Sequence, residues 1–408
     1  MPVANLREAI NILDPERSLH TDADLKKFFV ERPYSPIQEL CYLLQDTAQP
    51  QKVLFTGHRG SGKSSELAKL THELQDFLCV HYSIRSVLNL FDITYVDVIL
   101  SLGLQLIKTV TEKKMRINEK LLKHILEFTK EITKETETTI KGNADVGAEL
   151  NVHVLKLSGK LGTEEVTRTS VREIVSKRLS DLLEYIKDLV KEVERVETKR
   201  VLFIIEDLDK TDLGIAKKLF YDHATSLAAP EVSIIYTFPT ALRHDNDFIQ
   251  IRMSFPNVYN LPNIKIKTKD GAISNDGIDK LKQILTKRVR QELFRGESIN
   301  NLVYLSSGIP RELISIARMA CLDARLSGKD YVEDNHVQSA ARKSLLDYQV
   351  LLTKKQLELL RTIQKTKTVE NTEQYRDLLH NLSAIEYRNE FIWYDVHPII
   401  LPLLNPKL

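Results

Sequence analysis

The chain has 408 residues, with 58 Lys and Arg against 56 Asp and Glu; its net charge of +2 at pH 7 marks it globally for neither nucleic acid nor an anionic membrane surface. Hydrophobic residues at 42%, charged residues at 28%, 14 glycines and 13 prolines exclude a disordered chain and indicate a helix-rich protein of about two to four domains. Cys41, Cys79 and Cys321 are too few and too scattered for a disulfide framework or a zinc site, and with no signal-peptide pattern or bilayer-length apolar run the expectation is a cytoplasmic protein without a membrane partner.

Residues 1–50 read as an N-terminal lead-in with short amphipathic helices at 4–13 and 36–44. A core follows over 51–265. It opens with an apolar strand at 52–56, a glycine-rich turn, a helix from 63 to about 75 and a second strand near 79–84. The next helix, 93–113, is apolar nearly all round, as burial against a sheet requires. This alternation predicts a parallel α/β sheet flanked by helices. Between about 114 and 170 the pattern changes to an insertion. A charged helix at 119–133 precedes Val146, Ala148, Leu150, Val152 and Val154, whose period-two alternation predicts a β-hairpin. From Val171 an apolar stripe with Lys and Glu opposite predicts one long helix, read as a solvated brace. Val201-Leu202-Phe203-Ile204-Ile205 is a strand buried on both faces, and Val232-Ser233-Ile234-Ile235-Tyr236 is another.

The chemistry concentrates in three places. Gly57-His58-Arg59-Gly60-Ser61-Gly62-Lys63-Ser64 is G-x-x-x-x-G-K-S between a strand and a helix that continues through Ser65. Glycines at positive φ let backbone N–H groups curl around a phosphate, and the helix adds its positive dipole end. Lys63 is expected to reach the β- and γ-phosphates of ATP, and Ser64 to ligate Mg²⁺. Glu206 and Asp207 follow their strand at its C-terminal end, where ligands of open α/β sheets sit. By position Glu206 takes the metal-side role and Asp207 the water-activating one, both near Mg²⁺. Thr237 ends the later strand; if the strands are neighbours, its hydroxyl senses the γ-phosphate or orients water.

In this order of motifs the chain resembles AAA+ P-loop ATPases, especially the initiator-like branch related to origin-recognition proteins and the bacterial STAND and KAP-like ATPases. Ser306-Ser307-Gly308-Ile309-Pro310-Arg311-Glu312-Leu313 looks like the second-sensor helix of an AAA+ lid, which the resemblance extends over 266–345. It further implies that Arg311 reports the γ-phosphate and that Val30, Arg32 and Pro33 pack the adenine. Arg252 is the candidate arginine finger and Arg243 its competitor. The acidic pair runs Glu-Asp where the family has Asp-Glu, and the first sensor is Thr where Asn is usual, so hydrolysis is expected to be slow. Arg311 also makes physical sense, because a guanidinium on a mobile helix gains a strong partner in a γ-phosphate and loses it on hydrolysis.

Residues 346–408 look like a winged helix, with helices at 354–365 and 372–382 and a hairpin at 385–396. Glu370, Glu373 and Asp377 on the second helix, with Glu386, Glu390 and Asp395 on the hairpin, outnumber Arg376 and Arg388, which disfavours duplex reading and favours a protein contact. The expected function is a Mg²⁺-dependent ATPase switch that couples nucleotide state to self-association into an oligomer and to a partner protein. The alternative is an ATP-dependent nucleic-acid-loading protein, using basic residues such as Lys108, Lys113, Lys114, Arg116, Lys120 and Lys123.

Overall fold

The computed structural model describes residues 2–133, 146–163, 165–388 and 391–405. In chain order come α1 (Leu6–Ile12), α2 (Asp22–Phe28), α3 (Ile37–Asp46), β1 (Lys52–Thr56), α4 (Lys63–Glu73), β2 (Phe77–Ser83) and α5 (Tyr95–Glu112). The insertion contributes α6 (Glu119–Thr133), α7 (Val146–Thr163), α8 (Glu165–Lys177) and α9 (Leu179–Glu197). The core resumes with β3 (Arg200–Glu206), α10 (Leu213–Lys217), α11 (Ala224–Ala228), β4 (Ser233–Phe238), α12 (Phe248–Ser254) and β5 (Asn257–Asn260).

These five strands form one parallel sheet in the order β2-β3-β4-β1-β5. Side chains alternate across it. Val53, Phe55, Leu202, Ile204 and Ile235 pack under α3 and α4, whereas Leu54, Val201, Phe203, Ile205, Ile234 and Tyr236 pack against α5, α9 and the insertion. Both faces are therefore covered, which is why β1, β3 and β4 read as unbroken apolar runs. Because β4 lies between β1 and β3, Thr237 stands beside the turn after β1 and the acidic end of β3.

The insertion is helical, which corrects the expected hairpin. Leu150, Val154 and Leu157 are buried while Val152 is 39% exposed, so the spacing that decides the backbone is four and three residues. Leu150 and Val154 satisfy both periods, and Leu157 is the position where only the helix keeps an apolar side chain inward. These residues pack with Ile125, Leu126, Phe128 and Ile132 of α6. The single helix expected from Val171 divides at Arg178, the N-cap of α9. Arg172 of α8 is pinned to Asp97 in the first turn of α5, with Nη2 2.6 Å from Oδ2. Asp97 also accepts the Thr94 N–H at 2.8 Å, closing a capping box.

A helical unit follows: α13 (Asn275–Thr286), α14 (Ser298–Leu305), α15 (Pro310–Leu326) and α16 (Asp334–Leu351). Its core includes Leu6, Ala9 and Leu13 of α1, and Val3 bridges to Val289. The first fifty residues thus divide, α1 packing with this helical unit, where the lid is expected, and α3 with the sheet. The C-terminal unit comprises α17 (Lys354–Thr366), α18 (Glu373–His380), an antiparallel pair β6 (Ala384–Arg388) and β7 (Ile392–Val396), and α19 (Leu401–Leu404). Its helices and ribbon bury Leu360, Ile363, Tyr375, Leu378, Leu379, Tyr394 and Val396 together with Ala241 of the core. Glu390, counted above among the acidic hairpin residues, lies outside the described residues.

Candidate functional site

The turn after β1 takes the conformation its glycines allow. Gly60 and Gly62 have φ of 81° and 98°, and Gly62 caps α4 in the left-handed region. A Cβ on Gly60 would come 2.7 Å from the Arg311 Cβ, so only glycine admits the first turn of α15 this close. Lys63 is buried at the start of α4. Its ammonium donates to the Gly57 carbonyl at 2.8 Å and the His58 carbonyl at 3.0 Å, and lies 2.8 Å from Asp209 Oδ2. Among the described residues the buried Ser61 hydroxyl has no hydrogen-bond partner. A cradle of this shape, with a buried cation and an unsatisfied hydroxyl at the N-terminus of an eleven-residue helix, fits an anionic phosphate.

The acidic end of β3 meets the turn from the other side. The Ser64 hydroxyl donates to the Glu206 carboxylate, joining residues 142 positions apart. His81 of β2 pairs with the other Glu206 oxygen. A hydroxyl beside a carboxylate is an oxygen donor set suited to Mg²⁺, and among the described residues no group of three or more His, Cys, Asp or Glu could hold an ion alone. Asp207 turns at φ 72°, and its carboxylate accepts from Ser83 at 2.5 Å and pairs with Lys210 at 2.6 Å. Thr237 donates to the Ile205 carbonyl at 3.4 Å. Burial works against charge on Asp209, yet the Lys63 ammonium, the Thr237 hydroxyl and Lys210 together hold its carboxyl below the ordinary carboxylate range.

Arg311 lines this pocket from α15, and its backbone N–H donates to the Gly60 carbonyl at 3.2 Å. Its guanidinium faces the N-terminal segment: Nε donates to the Pro15 carbonyl at 3.1 Å, and Nη2 stands 3.8 Å from Glu16. Arg59, Gly60, Gly62, Ser64, Ser65, Val30 and Arg32 also line the pocket. Three expectations change here. Pro33 is exposed and outside the lining. The Arg32 side chain is buried in an ion pair with Glu66 at 3.0 Å, where it braces the start of α4. The His58 ring turns out of the pocket and accepts the Glu386 N–H at 2.8 Å.

Neither candidate arginine finger reaches the phosphate turn of its own chain. Arg252 is exposed on α12 and lines a separate cleft with Tyr34, Tyr259 and Arg388. Arg243 lines it too, but its Nη1 is 3.0 Å from both Asn260 Oδ1 and Glu386 Oε1. The C-terminal charge reading also changes, since Glu386 and Asp395 are only 4% and 5% exposed. Glu386 is paired with Arg243 and bonded to His244, and Asp395 is paired with Lys267 and Lys367, so they present no repulsive surface.

Several site residues escaped the sequence reading. Asp209 lay inside the acidic run after β3 and could have been found as a third carboxylate two residues on. His81 and Ser83 alternate onto one face of β2 in register with Ile204 and Glu206, which only the strand order reveals. The apolar end of the pocket is built by Leu19, Phe28, Ile264, Ile284 and Ile314 from four distant segments. Arg17, Lys27 and Arg288 surround the Phe28 ring with cations 4.9–5.2 Å from its centroid. Burial, with Arg17 nearby, lowers the Arg288 guanidinium to about 10.

Among the described residues no helix is long and apolar enough to cross a membrane. No curated protein matches the chain in sequence. Solved structures align along nearly its whole length at low similarity. Cdc6p from Pyrobaculum aerophilum is 11% identical, with 98% of each chain covered and a TM-score of 0.43. The Aeropyrum pernix ORC1 protein, solved in complex with DNA, is 12% identical over 98% of this chain and 96% of that one, with a TM-score of 0.43. A single-substitution variant of Thermotoga maritima RuvB is 10% identical over 97% and 99%, with a TM-score of 0.38. Residues 34–236, from the exposed Tyr34 through β4, match the model of the KAP family P-loop domain. The phosphate turn, the acidic strand end and the parallel sheet that holds them thus have the P-loop NTPase fold, and the stretch that contains the phosphate turn and the acidic strand end is similar to the KAP family P-loop domain.

Proposed function

We propose that the chain is a Mg²⁺-dependent ATP-binding switch of the AAA+ and STAND kind that hydrolyses ATP slowly and converts nucleotide state into self-association and engagement of a partner protein. The observation that carries this reading is the convergence of Ser64 with Glu206, beside a buried Lys63 ammonium that Asp209 holds in the cradle at 2.8 Å. The turn 57–64 and Lys63 would hold the phosphates, with Ser64 and Glu206 on the metal side. Mg²⁺ supplies charge neutralisation at the phosphoryl oxygens. Asp207 would orient and deprotonate the attacking water, Thr237 would fix its position, and Leu19, Phe28, Val30 and Ile314 would enclose the base. Arg311 would leave the Pro15 carbonyl for the γ-phosphate, giving the lid a preferred position with ATP that it loses with ADP. A differential contact of about 1–3 kcal/mol suffices to shift such a population five- to about 150-fold. The C-terminal helix, helix and ribbon would be a winged-helix module used for protein contact.

The test is ATP binding and turnover with and without a chelator. Asp207→Asn is expected to keep ATP affinity, abolish turnover and retain oligomers in sedimentation runs with ATP. Unchanged turnover in that variant would remove Asp207 from the chemistry, and ATP affinity indifferent to Mg²⁺ would remove Ser64 and Glu206.

A further inference from the structure

Two consecutive residues of the C-terminal ribbon grip opposite walls of the nucleotide cleft. Side chains alternate along a strand, so Glu386 and Tyr387 of β6 point apart. Glu386 faces the sheet. Its Oε1 is 3.0 Å from Arg243 Nη1 and its Oε2 2.9 Å from His244 Nε2. Both partners lie on the 3₁₀ turn Thr240–His244, immediately after the β4 end that carries Thr237. The Glu386 N–H donates to His58 Nε2 at 2.8 Å, and its carbonyl accepts from Asn263 at 3.2 Å. His58 belongs to the phosphate turn, and its own carbonyl holds Lys63 at 3.0 Å.

Tyr387 faces the lid. Its hydroxyl donates to the Ser307 carbonyl at 2.9 Å and lies 2.8 Å from the Ser307 hydroxyl. Ser307 has φ of 54°, and the Gly308 beside it sits so close to Ile264 that a Cβ would come 1.9 Å from that carbonyl oxygen, so this turn has little freedom to relax alone. Ile385, Tyr387 and Trp393 of the ribbon bury Ile309 of the lid, and Tyr387 stacks on Trp393 with ring centroids 4.5 Å apart. Four residues beyond Ser307 is Arg311, whose N–H reaches the Gly60 carbonyl. One strand therefore touches the phosphate turn, the segment after Thr237 and the turn before Arg311.

We propose that β6 is a wedge between core and lid, in which His58–Glu386 on one side and Ser307–Tyr387 on the other couple occupancy of the phosphate turn to docking of the C-terminal unit. The coupling rests on the ATP reading above. Lys63 shares its donors among Gly57, His58 and Asp209 in the conformation described. A phosphate that draws the ammonium away removes the donor from the His58 carbonyl, and the His58 ring carries that change to Glu386. On this proposal the wedge favours the arrangement in which Lys63 faces Gly57, His58 and Asp209, so loosening its lid side favours ATP. By reciprocity ATP loosens the wedge.

The experiment uses the full chain. Mg·ATP affinity is measured for the wild type, Tyr387→Phe and Ser307→Ala, and amide hydrogen exchange of residues 384–388 is followed with and without Mg·ATP. Ser307→Ala, which removes one hydrogen bond, is expected to bind Mg·ATP about 5-fold more tightly, and Tyr387→Phe, which removes two, at least as much. Exchange at 384–388 is expected to quicken when wild type is saturated. An ATP-binding wild type with unaltered exchange, or variants with unchanged or weaker affinity, overturns the wedge while leaving the ATP reading intact. No ATP binding by wild type would sink the ATP reading and the wedge with it.

Discussion

Two buried carboxylates of this chain neutralise cations in opposite spirits. Asp209 holds Lys63 at the phosphate turn, and Glu386 holds Arg243 and His244 under the C-terminal ribbon. Both are nearly inaccessible. The first pair sits at the mouth of a pocket, where an anionic ligand can take the place of the carboxylate. The second lies between two units and joins the ribbon to the turn after β4. The same ion-pair chemistry thus stands beside a pocket in one place and holds two units together in the other.

The largest effect that tests this contrast is on stability. Glu386→Gln should cost about 3–5 kcal/mol, because Arg243 loses its buried counter-charge, and saturating ATP should restore none of it beyond its ordinary binding contribution. Thermal and urea unfolding measure both parts, and a loss under about 1 kcal/mol would mean the pair is not enclosed. Lys63→Ala should weaken ATP binding at least ~100-fold, or about 3 kcal/mol, and should also lower the unliganded melting temperature, because buried Asp209 loses its counter-charge. Native affinity in that variant would remove the phosphate turn from the site. Asp209→Asn should lower unliganded stability by about 1–3 kcal/mol but enlarge the stabilisation by Mg·ATP relative to wild type, since phosphate supplies the missing charge. Equal ligand stabilisation in both proteins would place Asp209 with Glu386 among the fixed attachments.

Acid separates the groups further. Burial, reinforced by the Lys63, His244 and Arg243 charges and offset in part by Glu386, lowers the His58 imidazole from 6.5 to about 4, and burial does the same to His397. The unfolded chain therefore binds these protons first, and stability should fall as pH drops from about 6.5 towards 4. Burial would raise Glu386, but the hydrogen bond from His244 and the nearby Arg243 charge hold its carboxyl at about 2, below the ordinary 4.5. Its contribution is complete above about pH 4.5 and is lost as pH falls through about 2. Urea midpoints across this range should show two acid limbs in the wild type and a shallower lower limb in Glu386→Gln, where Asp209 and Asp245 still contribute to it.

The sheet and phosphate turn were legible because their signals are local: a double-faced strand is an apolar run, and the glycine pattern dictates its own backbone. The insertion was misread because Leu150 and Val154 satisfy both a period of two and a helical stripe, so the choice rested on Leu157. His81, Ser83 and Phe28 could not be found from spacing, since strand order and long-range packing bring them to the site. The acidic ribbon misled for a related reason. Composition counts Glu386 and Asp395 as surface charge, whereas four basic side chains from three different stretches cover them.

The division of the first fifty residues has a mechanical consequence. Since α1 is part of the lid and α3 part of the sheet layer, the stretch from Leu13 to Pro36 crosses the cleft as a tether of fixed length, and Pro15, Leu19, Phe28 and Val30 along it form the pocket rim. Opening is therefore bounded by a covalent span as well as by packing. Tyr34, 71% exposed at φ 64°, is an accessible point along it. A single backbone cut there would leave every layer packed and the pocket lined, yet free the lid to swing beyond the arc its own chain permits.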